Sequence, residues 1–345
     1  MGIGATILMI IIFPLNSFLL MQEGLSGGKQ VQADVLTNTQ SIQGLVMGAE
    51  SSKSEEFVKL KAQAVDNPEY QPVRKDGIKD LVVPGAHASV IIDADTGTIL
   101  HYNDGRGQRQ IASLTKLMTA VLVMEKIKNL DEEVTIDEEA VYIEGTKIGC
   151  PRSGYCMSQR LKIGEKISVK NLLRAALLNS ANDAAIALGK HIAGSQEAFA
   201  NLMNKKAKDL GLTDTNFCTP SGLDLDDNLA SKCYSSAYDI ARIAAYSLRY
   251  ADIWKIYKTP NDLTIASSDG KIEHTILNTV SNLGQISNSV GGKTGFTPLA
   301  GDSLLVVVAD PSLKHRIVSV VLDDPTRWQD IRTMVSWAFS SYTWR

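Results

Sequence analysis

This chain has few histidines and cysteines, and its basic residues do not outnumber its acidic ones. Its 345 residues include five histidines and four cysteines, and 35 Lys and Arg stand against 38 Asp and Glu, for a formal net charge of −3. Because there is no basic surplus and no basic stripe interleaved with aromatics, the composition argues against nucleic acid as a partner. The hydrophobic and charged fractions, 44% and 21%, are ordinary for a folded globular chain, so they allow an enzyme.

The few histidines and cysteines show no metal-binding pattern. There is no HExxH or comparable ligand pair, and the cysteine spacings match neither a zinc finger nor a zinc ribbon. We therefore predict that the protein uses no metal and no other cofactor. The histidines are dispersed, at His87, His101, His191, His274 and His315.

The cysteines form two local pairs, Cys150 with Cys156 and Cys218 with Cys233, at the ends of short loops that contain Gly and Pro. In an oxidising compartment each pair can close as a disulfide. Four cysteines allow three pairings, and only proximity favours the local one. Reduced structural thiols are the alternative.

An apolar run without a charged side chain occupies residues 3–21. Its length of about 19 residues approaches the roughly 20 that a transmembrane helix needs, and it also fits the core of a secretory signal. We favour an uncleaved membrane anchor over residues 1–22, although the positive flank that usually sets orientation is missing. A cleaved signal and a buried core helix are the alternatives. Whether the apolar run is an anchor or a cleaved signal, it predicts an extracytoplasmic location for the rest of the chain.

The rest of the chain divides into a polar segment and a folded domain. Residues 23–80 are rich in Gly, Ser, Gln, Asn, Lys and Asp without an apolar period, which predicts a flexible stalk. Over residues 81–345, hairpin patterns at 88–100 and 303–322 enclose helical patterns. This order predicts an α/β protein of the α+β type: an antiparallel sheet flanked by helices, with an inserted all-helical lobe. Helices are expected at 114–127, 169–192, 196–210, 237–250 and 328–342.

The stretch IASLTKLMTA places Ser113 and Lys116 at the start of a long amphipathic helix. Three-residue spacing puts the two side chains on one helix face, which suits a serine nucleophile and its base. A helix-capping serine is the alternative. Two other Ser-x-x-Lys matches, at 26–29 in the predicted stalk and 268–271 in a polar turn, are interpreted as chance.

The motifs that follow favour the nucleophile. Ser180-Ala181-Asn182 and then Lys293-Thr294-Gly295 come in this order after the Ser-x-x-Lys match. Each match alone is weak, but the ordered set is the signature of serine penicillin-recognising enzymes, in which an activated serine is acylated by a peptide or a β-lactam.

These residue types suit acyl transfer. Lys116 must be neutral to take the proton of Ser113, and burial beside a second cation, Lys293, lowers a lysine pKa. The backbone N–H groups of Ser113 and Phe296 can bind the developing oxyanion. Ser180 can relay a proton between Lys116 and the leaving amine.

The remaining motif residues suit substrate binding. Lys293 and Thr294 can donate hydrogen bonds to a substrate carboxylate, and Asn182 can donate to a substrate amide carbonyl. Gly295 lets a substrate backbone approach a strand edge closely.

From about Ala86 to Phe339 the chain resembles the low-molecular-mass penicillin-binding proteins that act as D-alanyl-D-alanine carboxypeptidases. Beyond the three motifs, the resemblance includes IIDADTGTIL, LKIGEKISVKNLLRAALLNSANDAA, TPSGLD, SAYDIARIA and GGKTGFTPLAG. It implies a serine β-lactamase/transpeptidase-like fold, peptidoglycan stem peptides as substrates and β-lactams as covalent inhibitors. Arg327, ten residues before Trp337, matches the family arginine that binds the substrate's terminal carboxylate.

Two departures and three alternatives accompany this resemblance. Segment 149–159 is longer than the family's usual connection, so we expect a reshaped mouth of the site. We also expect the C-terminal β-rich domain and amphipathic membrane helix to be missing, which favours an N-terminal anchor. A class A β-lactamase would need a Glu-x-x-Leu-Asn stretch between the second and third motifs, and there is none. A D,D-endopeptidase and a non-catalytic penicillin-binding sensor remain open.

Overall fold

The structure is a computed structural model that describes residues 70–151, 154–224, 231–259 and 261–345. The predicted membrane anchor and most of the predicted stalk lie outside these residues. Among the helices of the described ranges, none has the length and apolar character needed to cross a bilayer.

The central sheet is antiparallel and has five strands. In spatial order they are β3 (Ile99–Asn103), β2 (Ala88–Asp93), β10 (Arg316–Leu322), β9 (Gly301–Ala309) and β8 (Ser289–Thr297). The β-branched and leucine side chains of its central strands are buried at successive positions, because helices cover both faces. In the described region β8 pairs with β9 only, so its outer edge has no strand partner.

The helices α1 to α7 lie between β3 and β8 in the sequence and form the predicted lobe. They are α1 (Lys116–Lys126), α2 (Glu138–Tyr142), α3 (Val169–Leu178), α4 (Asn182–Ala193), α5 (Gln196–Asp209), α6 (Ala237–Ser247) and α7 (Ala251–Tyr257). Helix α1 contacts α3, α4, α5 and α6, and its first eight residues are buried. The C-terminal helix α8 (Arg327–Ser341) and α6 both pack against β9 and β10. The α+β architecture predicted from the sequence is confirmed.

Two short ribbons join the lobe segments. They pair β4 (Glu133–Thr135) with β5 (Lys166–Ser168), and β6 (Leu263–Ala266) with β7 (Glu273–Ile276). The cysteines close in their local pairs, Cys150–Cys156 and Cys218–Cys233, as the sequence predicted.

The helix predicted over 169–192 is wrong at one point, because the structure divides it into α3 and α4. Ser180, between them, has a φ of +58°, which ends helical geometry. The apolar period continues on both sides of the break, so periodicity alone could not reveal it.

The folded region also begins before the predicted boundary at residue 81. Strand β1 (Pro72–Arg74) pairs antiparallel with β11 (Tyr342–Trp344) at the end of the described chain. A strand of three residues carries no alternation of its own, and its hydrogen bonds depend on a partner distant in sequence.

Candidate active site

Ser113 lies in a tight turn that leads into α1. The turn is a 3-10 helix, Ala112–Thr115, and no side-chain capping hydrogen bond occurs at its start or at the start of α1. The interpretation of Ser113 as a helix cap is therefore wrong. Gly222 packs closely on this turn: a Cβ atom there would lie 2.0 Å from the Ala112 carbonyl oxygen. Only glycine fits at this contact, and its φ of +72° is also one that glycine favours.

Lys116 is fully buried beside Ser113. Its Nζ lies 2.8 Å from Ser113 Oγ, 2.8 Å from Asn182 Oδ1 and 2.7 Å from the Ser221 carbonyl oxygen. The oxygens of Asn182 and Ser221 can only accept hydrogen bonds. A neutral amine has two N–H donors for these two acceptors, and its lone pair is then left for the Ser113 hydroxyl. The Ser113 oxygen could also accept a third hydrogen bond from an ammonium, so the contacts accommodate both states of Lys116, and the electrostatic surroundings decide between them.

The surroundings of Lys116 favour that neutral state. Burial, and then the charge of Lys293, lower the pKa of Lys116 well below its usual value, while the carboxylate of Asp183 acts in the opposite direction. Lys293 is itself fully buried, and burial together with the charge of Arg327 lowers the pKa of Lys293 to about 7. Both lysines are therefore far easier to deprotonate than lysines in water.

The second motif sits at the break between α3 and α4. Ser180 Oγ accepts a hydrogen bond of 2.9 Å from Lys293 Nζ, so Ser180 contacts the third motif and not Lys116. Asn182 begins α4, and its Nδ2 donates to the Glu144 carbonyl oxygen at 2.9 Å. Because Asn182 Oδ1 accepts from Lys116, the Asn182 amide joins the base to the loop after α2.

The third motif lies on the edge strand β8. Lys293, Thr294 and Gly295 pair with Leu305, Leu304 and Ser303 of β9, and Phe296 follows opposite Asp302. A Cβ atom at Gly295 would come within 2.9 Å of the Ile111 carbonyl oxygen. The absence of a side chain therefore lets β8 pack against the turn that carries Ser113, as a narrow cleft requires.

Arg327 also belongs to this cleft. Its Nη1 donates to the carbonyl oxygens of Gly295 at 2.9 Å and Ser303 at 3.2 Å, and lies 2.9 Å from an oxygen of Asp302. These contacts hold the guanidinium beside the third motif, so Arg327 is not an isolated surface residue. The structure thus brings the predicted residues of all three motifs and Arg327 together.

Some residues at the site were not predicted from the sequence. Asp183 is buried next to Asn182, and its carboxylate accepts hydrogen bonds from the Ile148 N–H at 3.0 Å and the Ala184 N–H at 2.8 Å. Burial raises the pKa of Asp183 to about 6. The Ser221 carbonyl was missed because a backbone acceptor has no residue-type signature. Asp183 directly follows the second motif in the sequence, and an acidic residue at that place is only a weak indication of a role in the site.

Comparisons with known proteins agree with this geometry. The family model for D-alanyl-D-alanine carboxypeptidase matches residues 82–326, well over half of the chain. The chain therefore belongs to this family of serine peptidases, the low-molecular-mass penicillin-binding proteins.

Individual relatives match nearly three quarters of the chain. D-alanyl-D-alanine carboxypeptidase DacF of Bacillus subtilis is 34% identical, over 74% of this chain and 63% of the relative. D-alanyl-D-alanine endopeptidase of Escherichia coli is 28% identical, over 72% of this chain and 76% of that relative. The chain thus spans less than two thirds of the length of the first of these relatives.

Solved structures share the fold. Penicillin binding protein 5 from Haemophilus influenzae has a TM-score of 0.66 at 31% identity, covering 76% of this chain and 73% of that chain. Penicillin-Binding Protein D2 from Listeria monocytogenes, in the ampicillin-bound form, has a TM-score of 0.62 at 27% identity, covering 76% of this chain and 100% of that chain. The likeness confirms the transpeptidase-like fold expected from the sequence.

Proposed function

We propose that this protein is a serine-type D-Ala-D-Ala carboxypeptidase that removes the terminal D-alanine from peptidoglycan stem peptides through an acyl-enzyme on Ser113. The observation that carries the proposal is the contact between a fully buried Lys116 amine and Ser113 Oγ, at 2.8 Å. Family membership and the names of the relatives supply the substrate class.

The first half of the reaction forms the acyl-enzyme. Ser113 Oγ attacks the carbonyl carbon of the penultimate D-alanine as Lys116 Nζ accepts the hydroxyl proton. The oxyanion then faces the backbone N–H groups of Ser113 and Phe296. When the C–N bond breaks, the leaving amine of the terminal D-alanine takes up the proton that Lys116 accepted. Ser180, whose Oγ lies beside Lys293, relays this proton, and Lys116 is then neutral again.

Binding groups hold the substrate during these steps. Protonated Lys293, Thr294 and Arg327 bind the terminal carboxylate, because they lie together along β8 and carry the charge and hydroxyl that a carboxylate needs. Gly295 keeps the strand edge open for the substrate backbone, and Asn182 donates to an amide carbonyl. In the second half, water attacks the ester carbonyl carbon as neutral Lys116 accepts a proton from the water. The C–O bond to Ser113 then breaks, and Lys116 returns the proton to Ser113 Oγ.

The same site would be acylated by β-lactams. The ring amide takes the place of the scissile peptide, and no separate leaving group departs to make room for water. We expect slow release of the adduct, since the sequence has no carboxylate base of the class A type between the second and third motifs.

The test is D-alanine release from diacetyl-Lys-D-Ala-D-Ala by the full-length chain beside its Ser113→Ala variant. Release that disappears in the variant supports the proposal. A folded protein that binds labelled penicillin covalently but releases no D-alanine would contradict it.

A D,D-endopeptidase is the second candidate, because a relative with that activity in its name matches most of the described chain. The same residues would cut a peptide cross-link in place of a terminal bond. Cleavage of dimeric muropeptides much faster than D-alanine release from monomers would favour this candidate.

The proposed location is extracytoplasmic, with residues 3–21 as the membrane anchor. Both disulfides support this location, because an oxidising compartment is where they persist. Fractionation tests it: the chain should remain with the membrane after a salt wash and leave it in detergent.

A further inference from the structure

A cavity of about 410 Å³ lies beside the proposed catalytic residues, on the lobe side. Its volume is within the range of small-molecule sites. Ser221, whose carbonyl oxygen accepts from Lys116, lines it, as do Ile143 and Leu223. Helix α5 supplies another side of the cavity, including Glu197 and Asn201. No step of the proposed reaction uses this space.

The cavity adjoins Asn182. A Cβ atom at Gly145 would lie 2.7 Å from Asn182 Nδ2 and 3.5 Å from Leu223 Cδ1, so the loop after α2 and Leu223 meet at Asn182. The proposed function places the terminal carboxylate beside β8 and the scissile bond at Ser113, so we infer that the rest of the stem peptide runs from Ser113 toward the Asn182 side. The residue preceding the two D-alanines is the first to reach this side.

The cavity is lined by apolar, amide and hydroxyl side chains and by one carboxylate, which suits a ligand that carries one cationic group. Glu197 is the charged member of the described residues that line it. Glu197 is exposed, has no hydrogen bond or ion pair within the described part of the chain, and lies one helical turn before Asn201 on α5. An unpaired carboxylate beside an amide oxygen can bind an ammonium group.

Neighbouring charges point the same way. Gln196, at the start of α5, donates to Glu139, and Lys190 bridges Glu139 and Asp137. These three ion-pair members carry a net charge of −1, because two carboxylates face one ammonium. These charges do not line the cavity themselves, but Gln196, which contacts Glu139, does, so they lie next to it.

We propose that this cavity binds the side-chain ammonium group of the third residue of the stem peptide, with Glu197 as the residue that recognises it. The inference rests on the proposed function, since it places the substrate in the acylation site. Lysine and meso-diaminopimelate both supply such an amine. Glu197 then determines specificity and takes no part in the chemical steps.

The test compares three peptides that end in D-Ala-D-Ala and carry at the preceding position lysine with a free side-chain amine, acetylated lysine, or meso-diaminopimelate. We expect kcat/KM for free lysine to exceed that for acetylated lysine by about threefold to tenfold, as partly exposed charge-assisted contacts allow. Glu197→Gln should reduce this ratio to about one. The meso-diaminopimelate peptide tests the second source of the amine: its preference over acetylated lysine should likewise depend on Glu197.

Two further variants make the comparison specific. Asn201→Lys places an ammonium one turn from Glu197, where it should pair with the carboxylate and also reduce the ratio. Glu138→Gln is the matched control, because Glu138 is another exposed acid in the first turn of a helix and does not line the cavity. It should keep the ratio of the unmodified chain.

Failure of this inference is distinct from failure of the proposed function. Equal kcat/KM for free and acetylated lysine, or a preference that survives Glu197→Gln, overturns the inference, while D-alanine release itself still supports a carboxypeptidase. No release from any of the peptides contradicts the proposed function, and the inference falls with it.

Discussion

The two sides of the cleft each contain a fully buried lysine, but they are built by different means. The sheet side is β8 with Arg327, where Lys293 is held by a continuous ladder to β9. The lobe side includes α1, the start of α4 and the loop 217–224, where Asn182 and Ser221 contact Lys116. Strand pairing positions Lys293, whereas Lys116 is the first residue of α1 and contacts Asn182 and the Ser221 carbonyl from separate segments.

The difference explains why two identical side chains are suited to different tasks. Lys116 is surrounded by carbonyl-type acceptors and Ser113, which leave a lone pair available for a proton. Lys293 lies near Arg327, at a place where a substrate carboxylate would favour its protonated form. Burial lowers both pKa values, and the neighbours decide which lysine becomes the base.

Replacing the lobe-side lysine should have the largest effect. For Lys116→Met we expect kcat/KM to fall by about 10³-fold, within the range for loss of a general base. The free energy of unfolding should change by less than about 2 kcal/mol, because removal of a desolvated amine offsets the lost hydrogen bonds. D-alanine release and thermal unfolding measure the two effects. Activity within tenfold of the unmodified chain would show that another group accepts the proton.

Opening the disulfides should affect the lobe side selectively. The bonds Cys218–Cys233 and Cys150–Cys156 close separations of 15 and 6 residues. The chain-entropy relation then gives losses of about 3 kcal/mol and about 2 kcal/mol for the corresponding double serine variants. Denaturant unfolding under oxidising conditions measures both. A larger loss for the Cys150/Cys156 variant would contradict this order.

Asp183 should give the lobe side a pH dependence of stability. Its folded pKa of about 6 exceeds the usual value of 3.8, so its contribution to stability is full below pH 3.8 and is lost as pH rises through 6. The shift corresponds to about 3 kcal/mol. Asp183→Asn should remove this contribution to the change of the free energy of unfolding with pH between pH 4 and 7. Urea unfolding at several pH values compares the variants, and identical slopes would refute the assignment.

The smallest expected effect concerns the sheet side. Above about pH 7, loss of the Lys293 proton should weaken binding of the substrate carboxylate and lower kcat/KM. Arg327→Gln removes a cation that lowers the pKa of Lys293. The alkaline limb of the pH profile of kcat/KM should therefore move to higher pH, by about one unit or less. The variant also loses a contact to the substrate, which raises KM. A limb that stays in place or moves downward would contradict this role of Arg327.

Features that depend on local spacing could be predicted from the sequence, whereas specific contacts between distant segments could not. The strands at both ends, the lobe between them and the Ser113–Lys116 contact depend on local spacing, and these were predictable. Ordered motifs also predicted that Ser180 and Lys293 share the site. Their specific contact depends on the helix break at Ser180, which the apolar period conceals.

Features set by distant partners could not be predicted. The carbonyl groups of Ser221 and Glu144 act through the backbone, so residue type says nothing about them. The cavity by α5 depends on how the loop 217–224 packs against that helix. Glu197 has no unusual sequence context, and only its place in the fold distinguishes it from other first-turn acids.

The pairing of β1 with β11 has a mechanical consequence. The ribbon runs from Pro72 opposite Trp344 to Arg74 opposite Tyr342, and backbone hydrogen bonds join Gln71 to Arg345. A pull on the chain that enters at Tyr70 therefore loads the ribbon from its open end, one residue pair at a time. Such peeling yields at lower force than sliding whole strands past each other, so the ribbon should detach first and spare the five-stranded sheet and its cleft.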